Sequence, residues 1–560
     1  MNKDEILERF GLLDKDGFSI GTTRIFDLGN DLINEIIQAE NEKIEELGRY
    51  ISTKNQSLYN QISNKFSTYE EFITSKTTIN DPNNKLYKRD LDGYFEYMQD
   101  ENPPLASFFL DYFEPYFSDR VRACHTYITG ASSSGKSELM KSIIIGHILK
   151  NNCSVVLIEP HGDLAKQIYK SKIFLDKQQA ERLIIIEPNF DHHLTPIINI
   201  FDQFTIKNEF DLDRISQEYT KTFATIFEDL GEVPTGRMKT ILGHCITVIL
   251  RKKDSSIRDL LRFMTNTDNA DLIDLGTKDH NQTTADFFRN EFENETYKHT
   301  KNGIYDRLQG LLKNQIFAGL TTAKSTVNIP NSINTNKVVI LNLSRGGIGT
   351  EVSQAFGRLI ISIVQITGLQ RDEIKPENRP ITHLFIDEFQ NYISDTIKEI
   401  LEELRKYKIF ITLANQYVGQ DLNTNEVKSI LGNTKIKIIG QSSYGNSTNM
   451  AREMQIKPEQ ITDLNRGEFY IQYPNTKTGK QQTIKIKGST KYLDDSFCMA
   501  NTPFNQLKIS QIERFYVERV KYTPDIKKPP QNENKAQNKQ GFNKSKPKYN
   551  EPSPNLDLEL

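Results

Sequence analysis

The residues with the clearest chemical potential form one short segment, Gly130–Ser137, with the sequence GASSSGKS. Its spacing fits the pattern G-x-x-x-x-G-K-[ST], which is typical of a phosphate-binding loop. In such a loop, backbone N–H groups and the start of a helix face the phosphate oxygens. The lysine neutralises charge on the β- and γ-phosphates, and the hydroxyl that follows it is a ligand for Mg²⁺. The segment therefore predicts a site for ATP and Mg²⁺, unless it is a chance Gly/Ser-rich turn.

The flanks of this segment favour the phosphate-binding interpretation. The apolar run His125–Thr129 has the pattern of a buried strand, and Glu138–Leu149 has the pattern of a helix. A strand, then the loop, then a helix is the context that the motif requires. The predicted nucleotide-binding residues are Gly130, Ser132, Ser133, Ser134, Gly135, Lys136, Ser137 and Glu138, with Ser137 also predicted as a metal ligand.

A second candidate for chemistry is the acidic pair Asp387-Glu388, which follows the apolar run His383–Ile386. Ligands of open α/β sheets bind at the carboxyl ends of strands. We therefore predict that Asp387 holds Mg²⁺, usually through water, and that Glu388 polarises the attacking water. The alternative is that the two carboxylates cap the next helix.

Two further polar residues flank the apolar run Ile409–Ala414. Gln416 lies just beyond it, where a polar side chain is suited to sensing a γ-phosphate or orienting water. Arg405 lies just before it, and we expect it at one end of the sheet near the nucleotide face. Its local pattern does not show that it reaches a phosphate, because an arginine at a helix end commonly complements the helix dipole as a solvated charge.

The elements that must position these residues predict an α/β fold. Ile-, Val- and Leu-rich runs bounded by turn residues have the pattern of buried parallel strands. They lie at 125–129, 154–158, 183–186, 338–343, 383–386, 409–414 and 435–440. Two more, Glu468–Tyr473 and Gln482–Lys487, predict an edge hairpin. Residues 205–333 contain no such run and predict helices, for instance Asp213–Phe227 and Arg237–Arg251.

These patterns divide the chain into five parts. We predict a mostly helical N-terminal region at 1–118 and a P-loop ATPase core at 119–204 and 334–475. An all-α subdomain at 205–333 is inserted into that core. A hairpin and helix extension follows at 476–522. Residues 523–560 form a Lys- and Asn-rich tail that is predicted to be disordered, because it cannot bury a core.

The bulk composition narrows the class of protein. The 560 residues include 71 Lys and Arg against 74 Asp and Glu, so any nucleic-acid surface must be local. Four widely spaced cysteines predict reduced thiols rather than disulfides or a zinc site. The N-terminus has acidic residues where a signal peptide needs an apolar run. No apolar run approaches the roughly 18–20 residues of a membrane helix. The prediction is a cytoplasmic protein, peripheral to the inner membrane only through partners.

The candidate DNA-contacting segments are weaker signals. Residues 434–437 contain two lysines, and residues 527–548 hold seven lysines and one acid. Both can contact phosphates without sequence preference, but both can equally be solvated charge. The final five residues, 556–560, form either a docking peptide or a solvated end. The pair His192-His193 suggests a metal ligand, but a loop pair is the favoured interpretation.

Taken together, the motifs resemble the HerA/FtsK-type DNA-pumping ATPases, and more narrowly the conjugative DNA-transfer ATPases that couple to type IV secretion. Five segments match the family's motifs in order: His125–Ser137, Ile158–Leu164 (IEPHGDL), Ile340–Gly349, Phe385–Gln390 and Arg405–Tyr417. The resemblance covers about 120–475 and implies a RecA-like P-loop core with an inserted helical part.

The same resemblance implies specific roles and partners. The protein would be a DNA translocase that hydrolyses ATP at the subunit interfaces of a ring, expected to be a homo-hexamer. Gln416 would sense the γ-phosphate, and Arg405 would be an arginine finger that acts on the neighbouring subunit. DNA is the implied partner, with a relaxase, a secretion channel or a nuclease as protein partners.

Three departures from the family pattern leave alternatives open. Ser133 stands where the family commonly has Gly, and it would be strained by about 1 kcal/mol if the position needed φ > 0. Glu159 replaces the usual Asp. Coupling proteins usually begin with membrane helices, which are not expected here. A nucleotide-switched receptor that recruits a DNA-bound partner, or a HerA-like DNA-processing or defence ATPase, therefore stays an alternative to a conjugative motor.

Overall fold

The computed structural model describes residues 3–14, 17–28, 32, 108–230, 234–265, 267–392, 395–419, 424–492 and 495–519. Most of the predicted helical region 1–118 and the tail 523–560 lie outside these residues. Within them, the fold is an α/β sandwich around one large sheet.

The described residues contain twelve strands, and nine of them coincide with runs predicted from sequence. They are β1 (Gly21–Thr22), β2 (Thr126–Thr129), β3 (Ser154–Glu159), β4 (Leu183–Ile186), β5 (Leu194–Pro196), β6 (Val338–Asn342), β7 (Thr382–Ile386), β8 (Ile409–Asn415), β9 (Ile436–Gly440), β10 (Glu468–Pro474), β11 (Gln481–Gly488) and β12 (Tyr516–Glu518).

Ten strands form one sheet in the order β1-β11-β10-β9-β2-β8-β7-β3-β6-β4. The seven strands from β9 to β4 pair in parallel, and β10, β11 and β1 add an antiparallel margin. Every residue of the seven parallel strands is buried, which explains their continuous apolar runs. The order inserts β8 between β2 and β7, so the strands that precede Gly130, Asp387 and Gln416 are neighbours. This arrangement is that of a RecA-like P-loop core, as predicted.

Helices cover both faces of the sheet. They are α1 (Lys3–Arg9), α2 (Asp119–Arg122), α3 (Lys136–Lys150), α4 (Asp163–Tyr169), α5 (Lys177–Arg182), α6 (Glu209–Asp229), α7 (Gly236–Arg251), α8 (Ile257–Phe263), α9 (Ala270–Thr277), α10 (Gln282–Asn290), α11 (Glu295–Lys313), α12 (Gln315–Thr321), α13 (Ile329–Asn334), α14 (Arg345–Ile348), α15 (Thr350–Gln370), α16 (Asp395–Glu403), α17 (Thr424–Asn433), α18 (Tyr444–Met454), α19 (Pro458–Thr462) and α20 (Asn501–Phe515).

The inserted helices share a hydrophobic core with one face of the sheet. Among the described residues between β5 and β6 there are helices and no strand, as the sequence predicts. Phe223 of α6 and Leu308 of α11 belong to the same buried cluster as Val156 of β3 and Leu341 of β6. The insert is therefore joined to the ATPase core by continuous packing, and its exact boundaries stay a prediction.

The opposite face of the sheet is covered by α3, α4, α20 and the N-terminal residues. Phe18 packs edge-on against the His147 ring of α3, with ring centroids 5.0 Å apart. A Cβ atom at Gly146 would lie 2.5 Å from the Phe18 ring, so only glycine allows this contact. The short strand β1 pairs with β11. The N-terminal segment thus belongs structurally to the core that holds α3.

Segments from opposite ends of the chain lie at the two margins of the sheet. At one margin, β1 pairs with the last two residues of β11. At the other, the Gln511 side chain of α20 pairs with the β4 backbone: its Nε2 donates to Leu183 O at 3.0 Å, and its Oε1 accepts from Ile185 N at 3.0 Å. The Tyr516 hydroxyl donates to Ile185 O at 3.0 Å. A glutamine amide has the same donor and acceptor as a peptide group, so it takes the place of a strand.

One described helix, Thr350–Glu373, is long and apolar enough to cross a membrane by length and composition alone. However, 89% of its most apolar window is buried inside the protein. It is therefore a core helix of the described fold.

The four cysteines are free thiols, as predicted, with Cys124, Cys153 and Cys245 buried. Cys153 lies beside His147 and His383, close enough in space for a shared metal. One observation opposes that function. Arg122 Nη1 lies 3.0 Å from His147 Nδ1, so a positive charge already lies beside this possible ligand.

Candidate nucleotide site at the carboxyl ends of the strands

The predicted phosphate-binding loop connects β2 to the start of α3. Gly135 precedes α3 with φ 93°, a left-handed conformation that favours glycine. A Cβ atom at Gly130 would lie 2.7 Å from Ser134 Oγ. The loop is held by hydrogen bonds from Ala131 N to Gln441 O and from Gly467 N to Ser134 O, each 2.9 Å. The loop is therefore fixed by β9 and by the turn before β10.

Side chains of the loop differ in accessibility. Ser132, Ser133 and Ser137 are exposed, and Ser134 and Lys136 are buried. The φ of Ser133 is not positive, so the backbone strain that a serine would have at a left-handed position is absent. Glu138 forms an ion pair with Lys141, 2.5 Å apart, one turn along α3. Its side chain thus already has a partner within the helix.

Lys136 and the acidic pair meet at one point. Lys136 Nζ lies 3.2 Å from Glu388 Oε1, although the two residues are 252 positions apart in sequence. Their side chains are only 7% and 8% exposed. Asp387 Oδ1 accepts from Glu388 N at 3.0 Å. The strand order therefore brings together the cation and the carboxylates that the sequence predicted.

Asp387 is a buried carboxylate that forms no ion pair with any described residue. Burial raises its pKa, the Lys136 charge opposes that shift, and the Glu388 charge adds to it. A buried uncompensated anion is costly unless a cation neutralises it. Carboxylate and hydroxyl oxygens are ligands that suit Mg²⁺. Asp387 and the exposed Ser137 therefore fit the predicted magnesium site.

The backbone at Glu388 is unusual. Its φ is 47°, which is rare for a residue with a side chain and is typical of functional sites. Its carbonyl accepts two hydrogen bonds from Asn391, from the backbone N at 3.0 Å and from Nδ2 at 2.7 Å. Gln390 Nε2 donates to Glu388 Oε2 at 2.7 Å. Sequence reasoning did not assign these supporting roles, although Gln390 stands in the acidic motif.

Gln416 lies at the same end of the sheet, directly after β8 and between the strands that carry Gly130 and Asp387. The tip of β8 is held by Asn415, whose Oδ1 accepts from the Tyr127 hydroxyl at 2.9 Å. Its Nδ2 donates to Tyr417 O at 2.9 Å. The predicted location of Gln416 is thus observed, and its role stays a prediction.

Glu159 supports the site from the neighbouring strand β3. One of its carboxylate oxygens accepts from His161 N at 2.8 Å and the other from Gly162 N, so it caps the start of α4. Burial, and then the nearby charge of Asp387, raise the pKa of Glu159 to about 7. The Ile158–Leu164 motif therefore fixes the start of α4 beside the nucleotide site, a role that the sequence alone did not predict.

Arg405 lies at the opposite end of the sheet, which corrects the expected position near the nucleotide face. It precedes β8, whereas the phosphate loop follows β2, and these strands are parallel with Thr129 opposite Asn415. The seven residues of β8 span roughly 20 Å at about 3.3 Å per residue. Arg405 also contributes to lowering the pKa of His125 to about 4, after the larger effect of burial. Its guanidinium is therefore too far away for the nucleotide of its own chain.

The turn that carries Arg405 is firmly anchored. Arg371, which is 1% exposed, donates from Nη1 to Tyr407 O at 3.1 Å and to Pro380 O at 2.9 Å. Arg379 Nη1 donates to Lys406 O at 2.7 Å. Burial lowers the pKa of Arg371 to about 10. Arg405 itself is exposed at this end of the protein.

The structure also places the lysines of residues 434–437 and the pair His192-His193. Lys437 is buried, and its Nζ donates to Thr434 O at 3.0 Å, so it is not offered to DNA, whereas Lys435 is exposed. His193 belongs to a turn in which Asp191 Oδ1 accepts from His193 N at 2.8 Å. In the described part of the chain, His192 and His193 belong to no group of possible metal ligands.

Residues 119–363 match the family model of the central domain of the helicase HerA. This match confirms the HerA/FtsK-type resemblance that the motifs predict. The chain matches no curated protein in sequence.

Similar solved structures include a bacterial conjugative coupling protein and a VirB4 protein. The conjugative coupling protein TrwBdeltaN70 is 13% identical over 68% of this chain and 89% of its own, with a TM-score of 0.48. VirB4 of Thermoanaerobacter pseudethanolicus is 12% identical over 66% of this chain and 91% of its own, with a TM-score of 0.44. A TrwB structure in complex with ADP and Mg²⁺ is 14% identical over 69% of this chain and 91% of its own, with a TM-score of 0.48.

Proposed function

We propose that this chain is an ATP-driven DNA translocase that acts in conjugative DNA transfer and hydrolyses ATP between the subunits of a ring. The observation that carries the proposal is the meeting of Lys136 with Asp387 and Glu388 at the carboxyl ends of neighbouring strands. An ammonium, two buried carboxylates and a glycine loop are what binding and hydrolysis of a nucleoside triphosphate require.

The first step is binding of the nucleotide. The loop N–H groups and Lys136 bind the β- and γ-phosphates, and Ser137 and Asp387 hold Mg²⁺, which neutralises phosphate charge when bound. Lys136 faces Glu388 at 3.2 Å in the structure. A phosphate that takes Lys136 as its partner leaves Glu388 free to accept a proton from water.

The second step is hydrolysis. Water attacks the γ-phosphorus, its proton passes to a Glu388 oxygen, and the bond to the β-phosphate oxygen breaks. Gln390 and Asn391 fix Glu388 for this task. Gln416, at the tip of the intervening strand, orients the water or the γ-phosphate.

The third element comes from a neighbouring subunit. Because Arg405 is exposed and lies at the far end of the sheet, it cannot serve its own site. A ring in which the amino end of one sheet faces the carboxyl end of the next would supply Arg405 in trans. A guanidinium there stabilises charge in the transition state.

The HerA central-domain match supports DNA as the cargo, and it also favours a second candidate, a HerA-like DNA-processing ATPase that acts with a nuclease. One experiment addresses the pump directly. The ATPase rate of the full chain is measured alone and with single- or double-stranded DNA. We expect stimulation by at least one form of DNA, whereas a rate that no DNA changes would indicate a nucleotide-switched receptor. Affinity capture of the protein from its host then separates a relaxase partner from a nuclease.

A further inference from the structure

Arg345 occupies a rigid turn beside the nucleotide site. The turn follows β6, and β6 is separated from the Asp387 strand only by β3. Arg345 N donates to Pro160 O at 3.0 Å, and Gly349 N donates to Arg345 O at 2.9 Å. A Cβ atom at Gly347 would lie 2.4 Å from Asn189 Nδ2, so the turn packs closely against the chain after β4. The backbone therefore presents the Arg345 side chain from a fixed position.

The guanidinium of Arg345 has donors without partners. Its Nε and Nη2 atoms are buried, and neither forms a hydrogen bond. Within the described residues, Arg345 forms no ion pair. A buried N–H without an acceptor costs free energy, and more so when it carries charge. This side chain is therefore arranged for an acceptor that comes from outside the chain.

A second unpartnered donor lies next to it. Tyr392 follows the acidic motif, is 1% exposed, and its hydroxyl makes no hydrogen bond. Its ring is fixed against α15, because a Cβ atom at Gly357 would lie 2.3 Å from Tyr392 Cε1. Burial raises the pKa of Tyr392; the neighbouring Ser353 side chain and the Arg345 charge oppose this shift, and the charges of the nucleotide-site carboxylates add to it. The hydroxyl thus lies within electrostatic range of Arg345 and of the carboxylates of the nucleotide site.

The chemistry of this pair selects its ligand. A guanidinium and a phenol supply several N–H and O–H donors and a positive charge, which suit an oxyanion and disfavour a metal ion. Two strand spacings of about 4.8 Å separate β6 from β7, a span that an arginine side chain can largely cover. We propose that Arg345 and Tyr392 form a phosphate-binding site beside the ATP site, filled either by the nucleotide γ-phosphate or by a backbone phosphate of DNA. This inference rests on the proposed function.

The first arm of the test uses nucleotides. Affinities of the full chain for fluorescent ATPγS and ADP are measured for wild type, Arg345→Gln and Tyr392→Phe. If the ligand is the γ-phosphate, Arg345→Gln lowers ATPγS affinity by about tenfold or more and leaves ADP affinity unchanged. Tyr392→Phe produces a smaller shift in the same direction.

The second arm uses DNA. Affinity for a DNA duplex and for a single strand is measured across salt concentrations. If the ligand is a backbone phosphate, Arg345→Gln weakens binding and lowers the slope against the logarithm of salt concentration by about one. Its ATPγS-to-ADP preference then equals that of wild type. Arg289→Gln, on the distant helix α10, is the matched control and changes neither quantity.

The proposal is overturned if folded Arg345→Gln and Tyr392→Phe proteins match wild type in both arms. Lys136→Ala in the same nucleotide assay separates this failure from failure of the proposed function. If Lys136→Ala loses nucleotide and Arg345→Gln does not change either arm, only the Arg345 site is refuted. If Lys136→Ala binds ATPγS like wild type, the ATP site itself is refuted.

Discussion

At the carboxyl end of the parallel strands lie three buried carboxylates, Glu159, Asp387 and Glu388, and the last of these pairs with the buried Lys136. At the amino end of the same strands, Arg371 and Arg379 donate to main-chain oxygens and hold a turn that exposes Arg405. One end gathers negative charge that needs a cation and a phosphate to balance it. The other end exposes the positive charge of Arg405 on a turn whose backbone is held by hydrogen bonds from the other two arginines. In the proposed ring, each chain would therefore carry two unlike halves of a site.

The largest effect is expected at the carboxyl end, from Lys136→Ala. Lys136 is the main cation on the phosphates and the partner of Glu388, so its loss should abolish nucleotide binding or turnover. The check is ATP binding and ATPase rate in a protein shown to be folded by circular dichroism. Lys141→Ala is the matched control, because Lys141 is also buried on α3 but pairs with Glu138. Normal ATPase activity in a folded Lys136→Ala protein would show that this lysine is not needed to bind the phosphates.

Arg405→Ala tests the amino end. We expect turnover to fall by about 10³–10⁵-fold, the range of a finger supplied in trans, with ATP binding to the monomer unchanged. Lys406→Ala, the exposed neighbour on the same turn, should retain activity. Turnover per subunit of the wild type should also rise with protein concentration as subunits assemble. Constant turnover from clearly monomeric dilutions upward would show that one chain holds a complete site.

Glu388→Gln tests whether one carboxylate at the carboxyl end of the strands acts as the base. The amide keeps the shape of the side chain and loses its basicity, so turnover should fall by about 10²–10⁴-fold while ATP still binds. Single-turnover kinetics together with equilibrium binding make the check. Glu295→Gln, which alters a carboxylate with a partner inside α11, is the control. Weaker ATP binding with an unchanged turnover number would assign Glu388 to structure instead.

The smallest effect concerns Glu159 and pH. Its pKa rises from an ordinary 4.5 to about 7 on folding, so the folded state binds more protons between these values. Stability from this group is therefore present below about pH 4.5 and is lost as pH rises towards 7, by at most about 1.4 kcal/mol per pH unit. Glu159→Gln should flatten the dependence of Tm on pH in that window. An unchanged slope would show that Glu159 is ionised throughout.

The strands and the phosphate loop could be predicted because their signals are local. A buried parallel strand must be apolar along its whole length, and the observed β3, β4 and β7 begin and end within one residue of the predicted runs. The predicted position of Arg405 is wrong for a simple reason. The rule that places Asp387 at the carboxyl end of a strand also places Arg405, which precedes a parallel strand, at the amino end.

Other features depend on tertiary contacts that no local pattern contains. The strand β1 has two residues and forms only because β11 lies beside it. The sequence pattern is compatible with a solvated charge at Lys437, but its Nζ donates a hydrogen bond to Thr434 O. The supporting bonds of Asn391 and Glu159 arise from backbone geometry at Glu388 and at the start of α4. Sequence patterns thus predict which residues reach the site, and the fold decides what holds them there.

The covered β4 margin of the sheet has a consequence for how copies of this protein can associate. An open edge strand is a template onto which another chain can add by backbone pairing. Here Gln511 occupies backbone donor and acceptor groups of β4 at Leu183 and Ile185. Within the part of the chain that the structure describes, strand addition at those groups is therefore blocked. In the proposed ring, contacts at this margin would be made by side chains, which can separate and rejoin during a cycle without unravelling the sheet.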